Sequence, residues 1–398
     1  MPKYFKRFFK KEEEENIIEE ITIEKKSEEK NSSEIITKEG DKKEEIVNEK
    51  GEGSVMEEIV TEEKNEKGSL VELPTTKKPR KYTWLLIGIF VVFFIVAGLG
   101  LAGYFYWNNV ILKSETSLKI GFTADWEYGY KNKVGNKPTN KAPEALEKVV
   151  AYFNNEFHPE IVIAGGDLVE SSISKKSTTI EQFRKINAIF SKLQAKRGYI
   201  FGNHDLRDLT KEELRNILEM TDNHSYFDLG DWRFVLMDTN FRLDGTDLGP
   251  NYYIEGKVSE KEFAWLKEAL DTKRPTILFS HHSSIPAELN GVAISNTKNM
   301  LNGLELHNFL KQYDNIVLVA SGHEPGYRFQ NFDGINYIIN GNLATFEVLG
   351  NFTSMEAKYN KYTKEAKIAI EKHGERAEKF EIKKKVGELD WKELVWKK

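Results

Sequence analysis

The pattern of apolar and polar positions divides the chain into three blocks. Residues 82–107 are a continuous apolar run without a charged side chain. Residues 1–81 are polar and charged, whereas the residues after 116 alternate short apolar runs with amphipathic stretches. Because strand-like and helix-like periodicities alternate along residues 117–380, this third block predicts one folded α/β domain with strands buried between helices.

The strand-like segments of the third block are rich in β-branched and aromatic residues. They read "LKIGFTA", "EIVIAGGD", "RGYIFGNHD", "WRFVLMDTN", "TILFSHHS", "NIVLVASGHE" and "INYIINGN". Segments between them, such as "APEALEKVVAYFNNEF" and "SEKEFAWLKEAL", have helical periodicity. Residues 354–375 predict a closing β-hairpin, and residues 381–398 a charged C-terminal end.

The apolar run predicts a transmembrane helix. Its length exceeds the roughly 20 residues that cross the hydrocarbon core of a bilayer. Aromatic residues typical of the membrane interface stand at both ends, and these are Trp84, Tyr104, Tyr106 and Trp107. A cleaved signal peptide would begin nearer the start of the chain and have a shorter apolar region. Residues 108–116 are then a short linker.

Flanking charge predicts the orientation of that helix. The basic residues just before it are Lys77, Lys78, Arg80 and Lys81, whereas Lys113 alone follows closely. Because positive residues favour the cytoplasmic side, we expect a single-pass membrane protein with residues 1–81 as a disordered, charged cytoplasmic tail. The folded domain would lie on the outer side of the cytoplasmic membrane, and the lipid bilayer would be a partner through residues 82–107.

Composition excludes several classes of function. The chain has no cysteine, which excludes thiol catalysis, thiolate metal sites and a disulfide framework. Its net charge is −5, so no general basic field favours a nucleic-acid partner.

Polar residues that could bind a metal ion or take part in catalysis stand at the ends of five strand-like segments. They are Asp125, Asp167, Asn203 with His204, His281 with His282, and His323. Taken singly, an Asp after a strand is typical of a turn or a helix cap. Because ligands of open α/β sheets bind outside the carboxyl ends of the strands, the whole series predicts one metal-binding edge.

The series "GDLVE", "GNHD", "SHHSS" and "GHE" resembles the calcineurin-like metallophosphoesterase family, over about residues 118–350. The resemblance implies a four-layer αββα sandwich and two divalent metal ions that activate water for attack on phosphorus. By the same resemblance, Asp167 bridges the ions, and Asn203, His281 and His323 complete one metal site. His204 would be the catalytic imidazole, oriented by Asp205. His281 is preferred to His282 as the ligand.

Two motifs depart from the family pattern. Its Asp-x-His reads Asp125-Trp126-Glu127 here, and its Gly-His-x-His ends in Glu324-Pro325 after His323. Both missing imidazoles belong to one metal site in the family. What remains is an oxygen-rich first site of Asp125, Asp167 and Glu127, which would favour Mn²⁺ or Mg²⁺, beside a second site for Mn, Fe or Zn. The alternative is a chain that holds a single metal ion.

The sequence therefore predicts a membrane-anchored, metal-dependent hydrolase of phosphomonoesters or phosphodiesters, with a small phosphoester or an envelope component as substrate. The alternative is a catalytically silent module of the same fold that binds a phosphorylated envelope component. Asp125 and Glu127 would share a face only if the strand continues through them; in a turn their relative direction is not fixed.

Overall fold

The computed structural model describes residues 82–135, 137–171, 175–289, 292–294, 299–375 and 377–387. The tail expected at residues 1–81 and the last part of the charged C-terminal end lie outside the described residues. Helix α1 spans Tyr82–Tyr106 and continues as a π-helical turn, Trp107–Ile111. The stretch Tyr82–Ile111 is long and apolar enough to cross a membrane by length and composition, and none of its most apolar window is buried.

The first sheet contains six strands in the order β14-β13-β12-β1-β2-β3. Strands β1, β2 and β3 are parallel, and β1 pairs antiparallel with β12 on its other side. The bounds are β1 Glu115–Thr123, β2 Ile161–Ala164, β3 Lys196–Tyr199, β12 Phe352–Asn360, β13 Glu365–His373 and β14 Glu378–Lys385.

The second sheet also contains six strands, in the order β10-β11-β9-β6-β5-β4. Its central strands β11, β9, β6 and β5 are parallel, and antiparallel strands flank them. The bounds are β4 Ser225–Leu229, β5 Trp232–Leu236, β6 Thr276–Ser280, β9 Ile316–Ser321, β10 Arg328–Phe332 and β11 Ile335–Ile339. A separate small hairpin joins β7 Ala287–Leu289 to β8 Val292–Ile294.

Helices cover the outer faces of both sheets. They are α2 Ala142–Tyr152, α3 Lys176–Phe190, α4 Lys211–Leu218, α5 Glu260–Leu270 and α6 Gly303–Leu310. Alternate residues of each strand bury opposite faces. In β2, Ile161 and Ile163 pack between the two sheets, whereas Val162 and Ala164 pack under α2 and α3. A third core lies between the second sheet and helices α5 and α6. This order of layers confirms the predicted αββα sandwich.

The closing hairpin is formed by β12 and β13, but the sheet does not end there. Strand β14 continues past the boundary expected at residue 380 and pairs with β13 along its length. Phe380 and Ile382 face the core shared by the two sheets, while charged residues alternate with them on the other face. The alternation explains why a sequence that looks like a charged end forms an edge strand.

Candidate active site

Four acceptor atoms converge beyond the carboxyl ends of β2, β3, β6 and β9. Asn203 Oδ1 lies 3.2 Å from His281 Nε2 and 3.1 Å from His323 Nδ1. The two imidazole nitrogens are 3.3 Å apart, and Asp167 Oδ2 is 3.4 Å from His281 Nε2. Ligands about 2.0–2.2 Å from one divalent ion are separated by such distances. The four side chains therefore fit a divalent metal ion.

Contacts behind the ligands fix which atoms face the centre. The Asn203 amide donates through Nδ2 to the carbonyl of Tyr253 at 2.8 Å, so Oδ1 points inward. His281 donates through Nδ1 to the carbonyl of Gly165 at 2.9 Å, so Nε2 faces Asn203 Oδ1. A metal-binding histidine is commonly held in this way. Oδ1 and Nε2 can thus both turn to a metal ion placed between them.

Tight backbone packing brings the Asp167 carboxylate to this centre. Gly166 and Asp167 both have positive φ angles, of 92° and 53°. A Cβ atom on Gly166 would lie 2.6 Å from His281 Nδ1, and one on Gly202 would lie 2.1 Å from Asp167 Oδ1. Both positions require glycine, because any larger residue would place its Cβ atom in steric overlap with these side chains. The His204 amide also donates to Asp167 Oδ1 at 2.8 Å.

His282 is engaged behind the centre rather than at it. Its Nε2 lies 3.1 Å from the carbonyl of Ile254, and its Nδ1 lies 2.8 Å from the hydroxyl of Thr239. Burial, followed by the neighbouring His323 and His281, keeps the pKa of His282 well below its ordinary value. With both ring nitrogens occupied, His282 is a poorer metal ligand than His281.

The other half of the site is built around Asp125 and Glu127. The His323 amide lies 2.9 and 3.0 Å from the two Asp125 oxygens. Glu127 forms an ion pair with Lys137 and accepts from Asn342 Nδ2 at 3.3 Å. Potential ligand atoms of Asp125, Asp167 and His281 lie within 4.8 Å of one another, and so do those of Glu127, Glu170 and His204. The expected first site of Asp125, Asp167 and Glu127 is therefore split.

Backbone conformation explains the split. Strand β1 ends at Thr123, and Asp125 and Glu127 have φ angles of 51° and 47°. The segment is a turn whose amides bond to the loop after β2, with Asp125 donating to Gly166 and Glu127 to Asp167. Side chains two positions apart share a face only in an extended strand. Such non-glycine residues at positive φ are typical of functional turns.

His204 lies between the two halves. Its Nε2 is 3.7 Å from Asp167 Oδ2, and its Nδ1 is 2.9 Å from Glu170 Oε2. The Arg207 guanidinium lies against the ring, with Nη1 and Nη2 2.9 and 2.8 Å from Nδ1 and Nε2. Arg207 also donates to Glu170 Oε1 at 2.8 Å. The imidazole side chain is 12% exposed, so it remains open to a substrate.

The structure corrects the role expected for Asp205. Its carboxylate accepts from the amides of Gly202, Leu168 and Val169 at 2.9, 2.7 and 3.2 Å. Among the hydrogen bonds of the described residues, none joins Asp205 to His204. Asp205 braces the two ligand loops against each other, and Glu170 with Arg207 contacts His204 instead. Glu170 stands in the "GDLVE" motif, which could have pointed to it; nothing in the sequence pattern singles out Lys137.

The electrostatics of the buried carboxyl groups indicate a deficit of positive charge. Burial raises the pKa of Asp125 to about 7 and that of Glu127 to about 8, the latter despite Lys137. Burial also opposes ionisation of Asp167, but His204 and His281 hold its pKa well below the ordinary value. Burial would lower the pKa of His281, yet Asp167 raises it to about 9. A bound cation stabilises the ionised form of such buried carboxyl groups.

Lys137 supplies part of the missing positive charge. Burial would lower its pKa, but the Glu127 carboxylate raises it, so the ammonium stays charged. A cavity of about 710 Å³ adjoins the same side of the site, and Asn342, the partner of Glu127, stands in its wall with Tyr327, Arg328 and Phe329. Asn342 thus connects Glu127 to a cavity whose wall holds both polar and aromatic side chains.

Known phosphatases are similar to this chain in sequence or in fold. A manganese-dependent ADP-ribose/CDP-alcohol diphosphatase from Arabidopsis thaliana is 22% identical over 234 residues, which cover 48% of this chain and 73% of that protein. The crystal structure of a dimetal phosphatase from Danio rerio has the same fold, with a TM-score of 0.54 and 14% identity over 67% of this chain and 98% of that one.

Residues 118–327, more than half of the chain, match the calcineurin-like phosphoesterase family. The match contains Asp125, Asp167, Asn203, His281 and His323, and so spans the whole set of converging strand ends. The chain therefore belongs to the calcineurin-like phosphoesterases, hydrolases that act on phosphoester bonds.

Proposed function

We propose that the protein is a membrane-anchored hydrolase that cleaves phosphomonoesters or phosphodiesters with a divalent metal ion. The observation that carries this proposal is the convergence of acceptor atoms from Asp167, Asn203, His281 and His323, in which neighbouring atoms are 3.1–3.4 Å apart. When bound there, a divalent ion would lower the pKa of a water molecule and neutralise charge on the transferred phosphoryl group.

His204 would move the proton in this reaction. Glu170 Oε2 lies 2.9 Å from Nδ1, within ion-pair distance of the ring. The Nε2 edge, near Asp167, would then donate its proton to the leaving oxygen. Arg207 lies along the ring and fixes its plane. In this role His204 touches the reacting phosphoester, while Glu170 and Arg207 position it.

The substrate class proposed first is a diphosphate-linked small molecule. The Arabidopsis relative is named for such substrates. The neighbouring cavity of about 710 Å³ has space for the group beyond the phosphates, and Tyr327 and Phe329 offer rings against which it can pack. Manganese is the first metal to test because the Arabidopsis relative is named as manganese-dependent.

A panel of phosphoesters tests the hydrolase. The full chain in detergent would be assayed with para-nitrophenyl phosphate, its bis-ester, ADP-ribose and CDP-choline, with Mn²⁺, Mg²⁺ or Zn²⁺. We expect turnover that requires a divalent ion and is lost with a chelator. Binding of metal and substrate without turnover would instead favour the silent binding module.

The membrane proposal rests on Tyr82–Ile111, which has a mean hydropathy of 2.9 in its most apolar window. We propose that this segment spans the bilayer with residues 1–81 in the cytoplasm and the hydrolase domain outside. Protease added to intact cells should remove the folded domain. Protection in intact cells together with cleavage in inverted vesicles would reverse the orientation.

A further inference from the structure

Lys137 stands where the family pattern leads one to expect a second set of metal ligands. Its ammonium pairs with Glu127, and it lies 3.5 Å from Glu170 Oε2. The two carboxylates lie within 4.8 Å of each other and of a ring nitrogen of His204, the proposed proton donor. The lysine side chain is 30% exposed, so the ammonium is held by carboxylates on one side and reaches solvent on the other.

Backbone hydrogen bonds hold the residues on both sides of this lysine. Val134 and Lys137 exchange two backbone hydrogen bonds of 2.9 and 3.0 Å. Thr139 ties the segment back, because its hydroxyl donates to the carbonyl of Lys131 at 2.8 Å and its carbonyl accepts from Gly129 at 3.1 Å. Lys137 is therefore positioned by the backbone.

The residues on this side fit a second divalent ion poorly. Glu127 is engaged by Lys137 and Asn342, and both Asp125 oxygens face the amide of His323. No imidazole stands at the position after Trp126 or at the position after Glu324. An ion placed between Glu127 and Glu170 would also meet the ammonium of Lys137 as a like charge.

We propose that the Lys137 ammonium takes the place of a second divalent cation, so that the chain binds one metal ion and supplies its other positive charge from its own side chain. This inference rests on the proposed function, because it assigns a charge to the same phosphoester site. The ammonium has three N–H donors, of which those that Glu127 does not use can bind phosphoryl oxygens, and its charge would neutralise negative charge that develops in the reaction. A metal ion held by Asp167, Asn203, His281 and His323 would then be the only one available to activate water.

Metal stoichiometry tests the proposal on the full chain in detergent. Bound Mn²⁺ would be counted by elemental analysis and examined by electron paramagnetic resonance for the wild type, Lys137→Met and the control Lys148→Met. Lys148 is an exposed lysine on α2 that pairs with the exposed Glu144 rather than with a carboxylate of the site. Thermal melting checks that each variant is folded.

We expect one Mn²⁺ in the wild type and in the control, with the spectrum of an isolated ion. Lys137→Met should lower kcat roughly 100-fold at low Mn²⁺. It should also bind a second, weaker Mn²⁺ at the carboxylates of Glu127 and Glu170 once the ammonium is gone, giving a coupled spectrum and partial recovery of kcat. Two ions in the wild type, or an unchanged count in Lys137→Met, would overturn the inference and leave the proposed function standing. A wild type without bound Mn²⁺ would overturn the proposed function itself.

Discussion

The two halves of the site solve the same electrostatic problem in different ways. In one half, Asn203, His281 and His323 turn ring nitrogens and an amide oxygen toward one another beside the Asp167 carboxylate, and the positive charge of a metal ion would come from solution. In the other half, Glu127 already holds the charge of Lys137. The first half is arranged to bind a metal cation, whereas the cation of the second half is the ammonium of a side chain, Lys137. Similar strand-end loops can therefore carry different charge chemistry.

The largest effect should come from the half that lacks its own cation. Asp167→Asn keeps the shape of the side chain but removes the negative charge from the convergent acceptors. We expect metal affinity and turnover to fall together, with kcat/KM down by at least about 10³-fold. Asp244→Asn, at an exposed turn, is the matched control. Turnover within a few-fold of wild type in Asp167→Asn would remove this residue from the mechanism.

His204→Ala separates proton transfer from metal binding. Because the imidazole is near Asp167 but outside the convergent acceptor set, the variant should keep its metal content and lose roughly 10³-fold in kcat. His158→Asn, at an exposed helix end, serves as control. If His204→Ala also lost its metal, His204 would be a ligand, and the proton would have to come from another group.

Gly202→Ala tests whether backbone packing places the carboxylate. The added Cβ would lie 2.1 Å from Asp167 Oδ1, so the carboxylate must move away from the histidines. We expect metal affinity to fall about 100-fold, measured by titration with Mn²⁺. Gly326→Ala has nothing within 4 Å of its new Cβ and should bind as the wild type does. Equal affinities in the two variants would contradict the packing argument.

Glu170→Gln should give the smallest effect, because Glu170 acts through His204. The amide keeps the volume but no longer stabilises a protonated ring, so kcat should fall roughly tenfold with KM nearly unchanged. The pH profile of kcat should also change shape, which a purely structural role would not produce. Glu147→Gln, an exposed glutamate on α2, provides the comparison. An unaltered profile would argue against this positioning role.

The sequence predicted the binding half better than the lysine half. Asp167 and Asn203 follow strands of the first sheet, His281 and His323 follow strands of the second, and parallel strands within each sheet bring their carboxyl ends to one edge. Local periodicity therefore pointed to these strand ends, but it did not predict that the two sheets stack so that all four residues meet. The αββα layers were predicted through the family resemblance that the same motifs carry.

The second half depends on geometry that periodicity does not encode. Glu127 faces Lys137 because the turn after β1 takes positive φ angles, and Lys137 reaches it from a loop with no regular pattern. Asp205 braces amides from two loops, a role visible only once those loops are packed together. Contacts between loops follow from tertiary packing, so sequence spacing gave no direct signal for them.

Anomalous diffraction from crystals of the Mn²⁺-soaked protein tests the central claim most directly. The account predicts one strong manganese peak within bonding distance of Asp167, Asn203, His281 and His323, with the Lys137 ammonium still paired to Glu127. Absence of a peak among those four side chains at saturating Mn²⁺ would contradict the account.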